Sequence, residues 1–485
     1  MSYSTTVQVF DVVRVLAFVG DLSMGQPSDH SIRTAWLADR LAAIEGFGSD
    51  ERSAIRQAAL LRWSGCTANA SGFTELIGDD VAGREAMLAT RDHWRRRVQT
   101  MGSRLDIAIA PLAHIHCDVS GELARQLKLC RRTEETLLHV FETYDGRGVP
   151  NHLPGKDVPI SVFIVALAGD LEIFSRVYGF EGALSMIGTR ADVKYPAALV
   201  AHACTQAGQW FEALERENVS QLHTTLLTDQ MSAPTSAELI ADVIDLKLAW
   251  MTGFSRRVAE AAAACSAQLG LDVGTETSIR RAGLIHAIGR ASIPNSVWNS
   301  PTGLPASAWD RIRLVPYWTS LLGKRIDTFE RAAAIASFCY ERLDGSGYFR
   351  GASDESIPIE GRILAAAVAW VALCSSRPWR PAMPRDKAES CLAQEVRLGR
   401  LDPEVVRAMI QPDRGGSTRR TKGDLTVRET EILRLISRGA SNKIVAKTLG
   451  LRPSTVRTHI ESIFRKLNCS TRAAATLKAS AKGLL

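Results

Sequence analysis

Seven side chains near the end of the chain, Lys443, Thr455, Arg457, Thr458, Glu461, Arg465 and Lys466, are of the types that contact nucleic acid. Arginine gives two hydrogen bonds to a guanine edge, while lysine and threonine hold phosphates without reading sequence. On a helix, Arg457, Thr458 and Glu461 lie opposite an apolar stripe of Val456, Ile460, Ile463, Phe464 and Leu467. They also lie near the N-terminal half, where base edges are met. Lys443, Thr455, Arg465 and Lys466 are placed for phosphates. From Arg414 to Leu485 there are 16 Lys+Arg and 4 Asp+Glu, a net +12; the whole chain is +7, which leaves −5 for the preceding residues. A basic module on a mildly acidic body is the footprint of a polyanion-binding head. Opposite signs on tethered parts also suggest that the body docks this head at low salt.

The elements that must position these residues are marked by caps. Thr426 and Glu429 form a capping box ahead of Ile432, Leu433, Leu435 and Ile436, and Gly439 suits a left-handed stop. Ser441 caps a second helix that Gly450 ends, and Pro453 opens a third, because its missing N–H would be unpaired there anyway. Asn468 takes the next left-handed turn and Ser470 caps a fourth helix. Gln411 to Gly423, polar and without periodicity, reads as a linker. Two short helices joined by a tight turn, the second basic, describe a helix-turn-helix. The run LTVRETEILRLISRGASNKIVAKTLGLRPSTVRTHIESIFRKL resembles the DNA-binding domain of LuxR-type transcription factors, from Leu425 to about Ala475. Its LTxRE, GxSNK and TVRTHI runs carry the resemblance. It implies double-stranded DNA as partner and a homodimer reading paired half-sites. His459, beside the apolar stripe, reads as a packed residue, and Arg452 stands where the family usually has a capping serine.

The remainder is organised by a repeat. ETYDGRGVPNHLPGKDVPISVFIVALA from Glu142 lines up with ERLDGSGYFRGASDESIPIEGRILAAA from Glu341, an offset of 199. HSIRTAWLADRLA from His30 lines up with FSRRVAEAAAACS from Phe254, and RQAALLRWSG from Arg56 with RRAGLIHAIG from Arg280, both at 224. The first copy therefore carries about 25 extra residues, placed after Cys66, and the segment from about Arg216 to Ser236 reads as the connection. Both copies are helical in pattern. The second resembles the HD-GYP branch of the HD-domain phosphohydrolases, and the first resembles it more weakly. That resemblance implies a helical bundle whose His and Asp side chains hold metal ions, which generate a hydroxide to attack a phosphodiester, typically cyclic di-GMP.

Taken position by position, the ligands of that family are sparse here. In the second copy the opening His is Phe254, the His-Asp doublet is His286-Ala287, the following His is Val315, the paired His are Cys339 and Tyr340, and the closing Asp is Val368. The first copy keeps His30 and His116, but its doublet is Arg62-Trp63, its paired His are Val140 and Phe141, and Gly169 precedes Asp170 at the close. Neither copy assembles the three or four ligands of a catalytic metal site, and apolar replacements make the cavity hostile to a bare cation. No catalytic residue, metal or cofactor is therefore expected; a poor site of His30, His116 and Asp170 is the minor reading. A cavity kept without its metals suits a small-molecule effector, with His30, Arg62, Trp63, His116, Phe254, His286 and Tyr340 as lining candidates. A scaffold that only dimerises is the equal alternative.

The expected fold class is all-α: an HD-like lobe over 1–215, an HD-GYP-like lobe over 236–411 and a four-helix LuxR-type domain over 424–485. With 46% hydrophobic and 23% charged residues, wholesale disorder is excluded. The start lacks a basic n-region and no apolar run reaches the ~18–20 residues that span a bilayer, so a cytoplasmic, nucleoid-associated protein without a membrane partner is expected. Nine scattered cysteines without CxxC suggest free thiols. The function expected is sequence-specific transcriptional regulation; the alternative is a metal-dependent cyclic dinucleotide phosphodiesterase fused to a DNA-binding head. Arg457→Ala is expected to abolish promoter selectivity with the fold intact, whereas Lys466→Ala weakens binding to all sequences and lowers the salt slope by about one. Band-shift titrations across salt concentrations measure both, and operator affinity unchanged in Arg457→Ala refutes the recognition-helix assignment.

Overall fold

A computed structural model describes residues 5–102, 104–217, 219–301, 303–411 and 425–485. Its only strands among the described residues are the three-residue segments Thr6–Gln8 and Pro234–Ser236, and everything else that is regular is helical. The chain divides into two units, one of Gln8–Thr235 and one of Met1–Val7 with Ser236–Leu485. The linker expected from Gln411 to Gly423 lies, apart from Gln411, outside the described residues.

The repeat is visible helix by helix. His30–Ile44 and Ser49–Leu61 in the first copy correspond to Phe254–Gln268 and Val273–Ile285 in the second, at the offset of 224. Arg131–Leu138 corresponds to Glu330–Ala336, and the helix starting at Ile160 to that starting at Ile359, at 199. The loop before each of the latter helices is held by the same device. Glu142, buried, accepts the amides of Asn151 and Leu153 at 2.9 and 3.1 Å, and Glu341 accepts those of Arg350 and Ala352 at 2.7 and 3.0 Å. A charged acceptor for two amides that have no helical partner fixes a loop without regular structure.

The structure extends the repeat upstream of where sequence comparison starts it. The buried Asp21 accepts the Ser31 amide at 3.1 Å and its hydroxyl at 2.6 Å; Asp245, 224 residues on, accepts the Ser255 amide and hydroxyl, both at 2.8 Å. Each ties a preceding helix, Val9–Ser23 or Glu238–Asp245, to the start of the next. Val9–Ser23 is buried on nearly every side, which accounts for apolar residues all round it. The segment read as a connection is structured too: Val219–Leu226 is a helix whose Leu222 and Leu226 are buried. The extra residues after Cys66 form three short helices, Ala70–Ile77, Asp80–Leu88 and Asp92–Met101.

Close approach of backbones sets the geometry of both copies. A Cβ on Gly65 would lie 2.4 Å from the His116 carbonyl oxygen, and one on Gly289 would lie 2.1 Å from that of Val315. No other residue fits at either position. Each glycine lets the helix bearing His116 or Val315 rest on the turn that ends the preceding helix.

The four head helices are Val427–Ser437, Asn442–Leu449, Pro453–Leu467 and Arg472–Ala481. The expected caps stand at Thr426, Ser441, Gly450, Pro453 and Asn468, and Arg452 makes no side-chain cap bond. One is displaced: Thr471, not Ser470, caps the fourth helix, accepting the Ala474 amide at 3.2 Å. Within its unit the head meets the second lobe through Thr252, whose hydroxyl donates to the Ser437 carbonyl at 2.7 Å. Nearby, Arg438 of the head acts on Arg257 as a like charge.

Burial pushes both Asp21 and Asp245 from the ordinary carboxyl value up to about 7, against the hydrogen bonds from Ser31 and Ser255. A carboxyl with a raised folded value favours the fold while protonated, and that contribution is lost as pH rises through the folded value. Thermal stability is thus expected to fall between about pH 4 and about pH 7 and to level off above that, and the fall should be smaller in Asp245→Asn. Melting curves of both proteins across this range are the check.

Candidate functional site

The head presents two chemically distinct faces. Ile432, Leu433, Ile436, Val445, Val456, Ile460, Ile463 and Leu467 form its core with Ala475 and Leu484. On the opposite side of the third helix, Arg457, Thr458, Glu461 and Arg465 are exposed, as are Thr455 and, on the second helix, Lys443. Arg457 and Glu461, 76% and 62% exposed, pair at 3.0 Å across one turn. A surface pair of this kind is worth little, so the guanidinium is free to exchange its carboxylate for a base edge. His459 is partly buried.

Lys466 differs from its neighbours. Its ammonium lies 2.7 Å from the buried Glu429, the same carboxylate that closes the capping box by accepting the Thr426 amide at 2.7 Å and that also takes the Ser462 hydroxyl at 2.8 Å. The sequence places Lys466 for phosphate; the structure gives it a structural partner that joins the first head helix to the third. The partner lies 37 positions away, so no local spacing in the sequence signals it.

In the first lobe, Arg62, Trp63 and His116 line one cavity of about 360 Å³. His116 is buried, its Nε2–H donating to the Arg62 carbonyl at 2.8 Å, with the Cys66 thiol 3.5 Å from Nδ1. Burial, together with the charges of Arg84 and Arg62, holds it down to about 3, so the ring is neutral. Arg62 lies over the Trp63 ring, 4.1 Å from its centroid, and donates to the Val165 carbonyl at 3.2 Å. Gly169 makes room for it: a Cβ there would lie 1.3 Å from Nη1. Asp170, also at the cavity, is engaged through Oδ2 by Lys194 at 2.6 Å, Arg190 at 3.4 Å and the Tyr195 hydroxyl. His30 is elsewhere, its Nδ1 hydrogen-bonded to the buried Glu172. The extra helices supply a wall of this cavity, with Phe73, Arg84, Met87 and Leu88. Arg84, which donates to the Cys66 carbonyl and to Asn69 Oδ1 at 3.0 and 2.6 Å, and the Lys194-Tyr195 pair were not singled out from sequence.

In the second lobe, Phe254, His286 and Tyr340 also come together, around a buried arginine. The Phe254 and His286 rings are 6.0 Å apart, and Arg290 sits 5.2 Å from the Phe254 centroid while donating to the Tyr340 hydroxyl at 2.8 Å. His286 donates Nδ1–H to the Gly283 carbonyl at 2.7 Å and is held down to about 3 by burial and by Arg290. Arg377 also lies over Phe254, at 4.8 Å, its basicity lowered to about 9 by burial and by Arg290.

The first-lobe donors are therefore bonded to other groups, while in the second lobe His286 is bonded through Nδ1 and its buried Nε2 has no partner. His30, His116 and Asp170 each have another partner, and His286 stands among an aromatic ring and two guanidinium groups. Among the described residues no group of three or more His, Cys, Asp or Glu is placed to hold a metal ion. This donor chemistry does not fit a di- or trinuclear metal centre. The nine cysteines are free, and among the described residues no helix is long and apolar enough to cross a membrane.

Comparison with known proteins adds the following. Residues 238–405 match the HD domain family, and residues 424–479 match the luxR family of bacterial regulatory proteins. The chain is 25% identical over 430 residues to 3'3'-cGAMP-specific phosphodiesterase 3 of Vibrio cholerae serotype O1, covering 80% of this chain and 91% of the relative. It is 33% identical over 175 residues to a cyclic di-GMP phosphodiesterase response regulator of Xanthomonas campestris pv. campestris, a match spanning 36% of this chain and under half of that protein, 46%. A crystal structure of a cyclic GMP-AMP specific phosphodiesterase of V. cholerae covers 83% of this chain and 97% of its own, with a TM-score of 0.59 and 22% identity, a likeness of fold.

Glu429 generates a prediction. Burial opposes its ionisation, but the bonds from Lys466, the Thr426 amide and Ser462 outweigh burial and hold it at about 2. A depressed carboxyl stabilises the fold above its unfolded value, and that contribution is lost as pH falls through the folded one. Glu429→Ala is expected to cost the head about 1–3 kcal/mol near neutrality and to reduce its loss of stability in acid. Hydrogen exchange of the head-helix amides in the full-length protein reads this directly.

Proposed function

We propose that this chain, an HD domain joined to a C-terminal LuxR-type helix-turn-helix domain, is a sequence-specific DNA-binding transcriptional regulator. Its helical body senses a small ligand, dimerises the protein, or both, and does not hydrolyse phosphodiesters. The observation that carries the DNA-binding part is the third head helix, which buries Val456, Ile460, Ile463 and Leu467 and leaves Arg457, Thr458 and Glu461 in solvent. On this reading Arg457 exchanges Glu461 for a guanine edge, while Lys443, Thr455 and Arg465 grip phosphates. Lys466 approaches the backbone only as far as its bond to Glu429 allows. A C2 dimer presents two such helices to successive major grooves of double-stranded DNA, in the cytoplasm at the nucleoid.

The non-enzymatic part rests on chemistry at the residues. Where the HD resemblance implies a His-Asp doublet, the first lobe has Arg62-Trp63 and the second His286-Ala287, and guanidinium groups occupy both neighbourhoods. A buried guanidinium repels a divalent cation. The relatives named phosphodiesterases define the competing outcome. Full-length protein purified without added metal is expected to retain a specific operator in genome-wide occupancy mapping and to leave 3'3'-cGAMP and cyclic di-GMP intact. Stoichiometric iron, manganese or zinc together with turnover of either nucleotide would sink the non-enzymatic reading.

A further inference from the structure

Arg62 is a buried cation short of an anion. Its residue is 3% exposed, its one described hydrogen bond goes to a neutral carbonyl, that of Val165, and among the described residues no carboxylate lies within ion-pair distance. The nearest candidate, Asp170, is already occupied by Lys194, Arg190 and Tyr195. Burial correspondingly lowers the basicity of Arg62, with Asp170 giving partial relief from a distance. An isolated buried charge is costly, so a fold that keeps one gains by pairing it with something brought from outside.

The space beside Arg62 is suited to that something. The cavity is about 360 Å³, near the lower end of the ~300–1,000 Å³ usual for small-molecule sites, and its walls are largely apolar: Met24, Phe73, Met87, Leu88, Ile109 and Phe141. Four cationic side chains, Arg62, Arg84, Arg190 and Lys194, line it against two carboxylates, Glu142 and Asp170. Arg84 is spent on Ser23, Cys66 and Asn69, and Glu142 on two loop amides. Trp63, which lines the same cavity, is buried and its indole N–H has no acceptor. One guanidinium and one indole N–H in an apolar chamber are donors for a single anionic head. A cyclic dinucleotide, with two phosphodiesters and two polar base edges, is poorly served by such walls.

We propose that the first-lobe cavity binds a small amphipathic monoanion, an organic carboxylate whose head is held by Arg62 and whose apolar body fills the chamber. This rests on the sensor reading of the body and specifies its ligand. Arg62 then takes, with a fixed charge, the place that a metal ion has in an HD enzyme, and Gly169 is the residue that lets it stand there. The extra helices after Cys66 supply the apolar wall, which the second lobe lacks in sequence.

The test uses full-length protein and two probes, decanoate and 1-naphthaleneacetate, each against its neutral counterpart, decanol or 1-naphthaleneacetamide, by isothermal titration calorimetry. Saturable binding at one acid per chain is expected, about tenfold or more tighter than the neutral counterpart. Arg62→Met should erase the preference for acid over neutral probe while leaving the weaker neutral binding. Ala113→Leu, which fills the chamber without touching the charge, should weaken acid and neutral probes alike, and stands in should Arg62→Met not fold. Equal affinity for acid and neutral forms, or an acid preference that survives Arg62→Met, overturns the proposal. Saturable binding of cyclic di-GMP or 3'3'-cGAMP with neither acid binding also overturns it, yet leaves the broader sensor reading standing. No binding of either acid up to its solubility limit overturns it as well.

Discussion

Each lobe of the body is built on a backbone contact that only glycine permits. At Gly65 and Gly289 one helix lies so close to the turn ending another that a single added carbon would meet a carbonyl oxygen. That contact sets the His116 ring beside Arg62 and Trp63 in the first lobe, and Val315 packs with Ile293 and Ile312 in the second. The glutamates at 142 and 341 hold the facing loop, and the aspartates at 21 and 245 anchor the entering helix. These three devices give the two repeats the same framework, whatever side chains stand inside it.

What stands inside that framework is positively charged. A metal centre gathers anionic and neutral donors around an external cation, whereas here arginine supplies the cation from the chain itself. In the first lobe Arg62 rests on Trp63 in the space left by Gly169, and in the second Arg290 and Arg377 enclose Phe254. Cation–π contact and burial among aromatics let a guanidinium sit where an ammonium would be too strongly hydrated. The two lobes diverge from there. The first keeps an open chamber walled by its extra helices, and at the corresponding centre of the second a phenylalanine, a tyrosine and two arginines pack on one another.

The head follows a different logic, because its capping box is also a tertiary joint. Glu429 satisfies an amide of its own helix end and at the same time receives Ser462 and Lys466 from the third helix. The angle between the first head helix and the third is thereby linked to a local capping interaction. Lys466 was legible in the sequence as a basic residue on the right helix, but its partner 37 positions away was not, since nothing in local spacing predicts which carboxylate a lysine meets. The cap at Thr471 instead of Ser470 has a similar origin: two adjacent hydroxyl residues are equivalent by propensity, and packing selects between them.

Sequence alone determined the local conformations and the repeat. Caps, left-handed glycines and apolar spacing depend on interactions within a few residues, so the head helices and the offsets of 224 and 199 are readable from the string of residues. It also determined which residue stands at each position of the repeat, because identities at matched positions need no coordinates. Tertiary structure decided which of the remaining polar groups are free. His30, His116 and Asp170 look equally available in the sequence, yet each is bonded by a residue distant along the chain, while Arg62, which sequence reading treats as a mere replacement, is the group left without a counter-charge. Availability of a buried charge is a property of what folds around it, and only the packed chain specifies that.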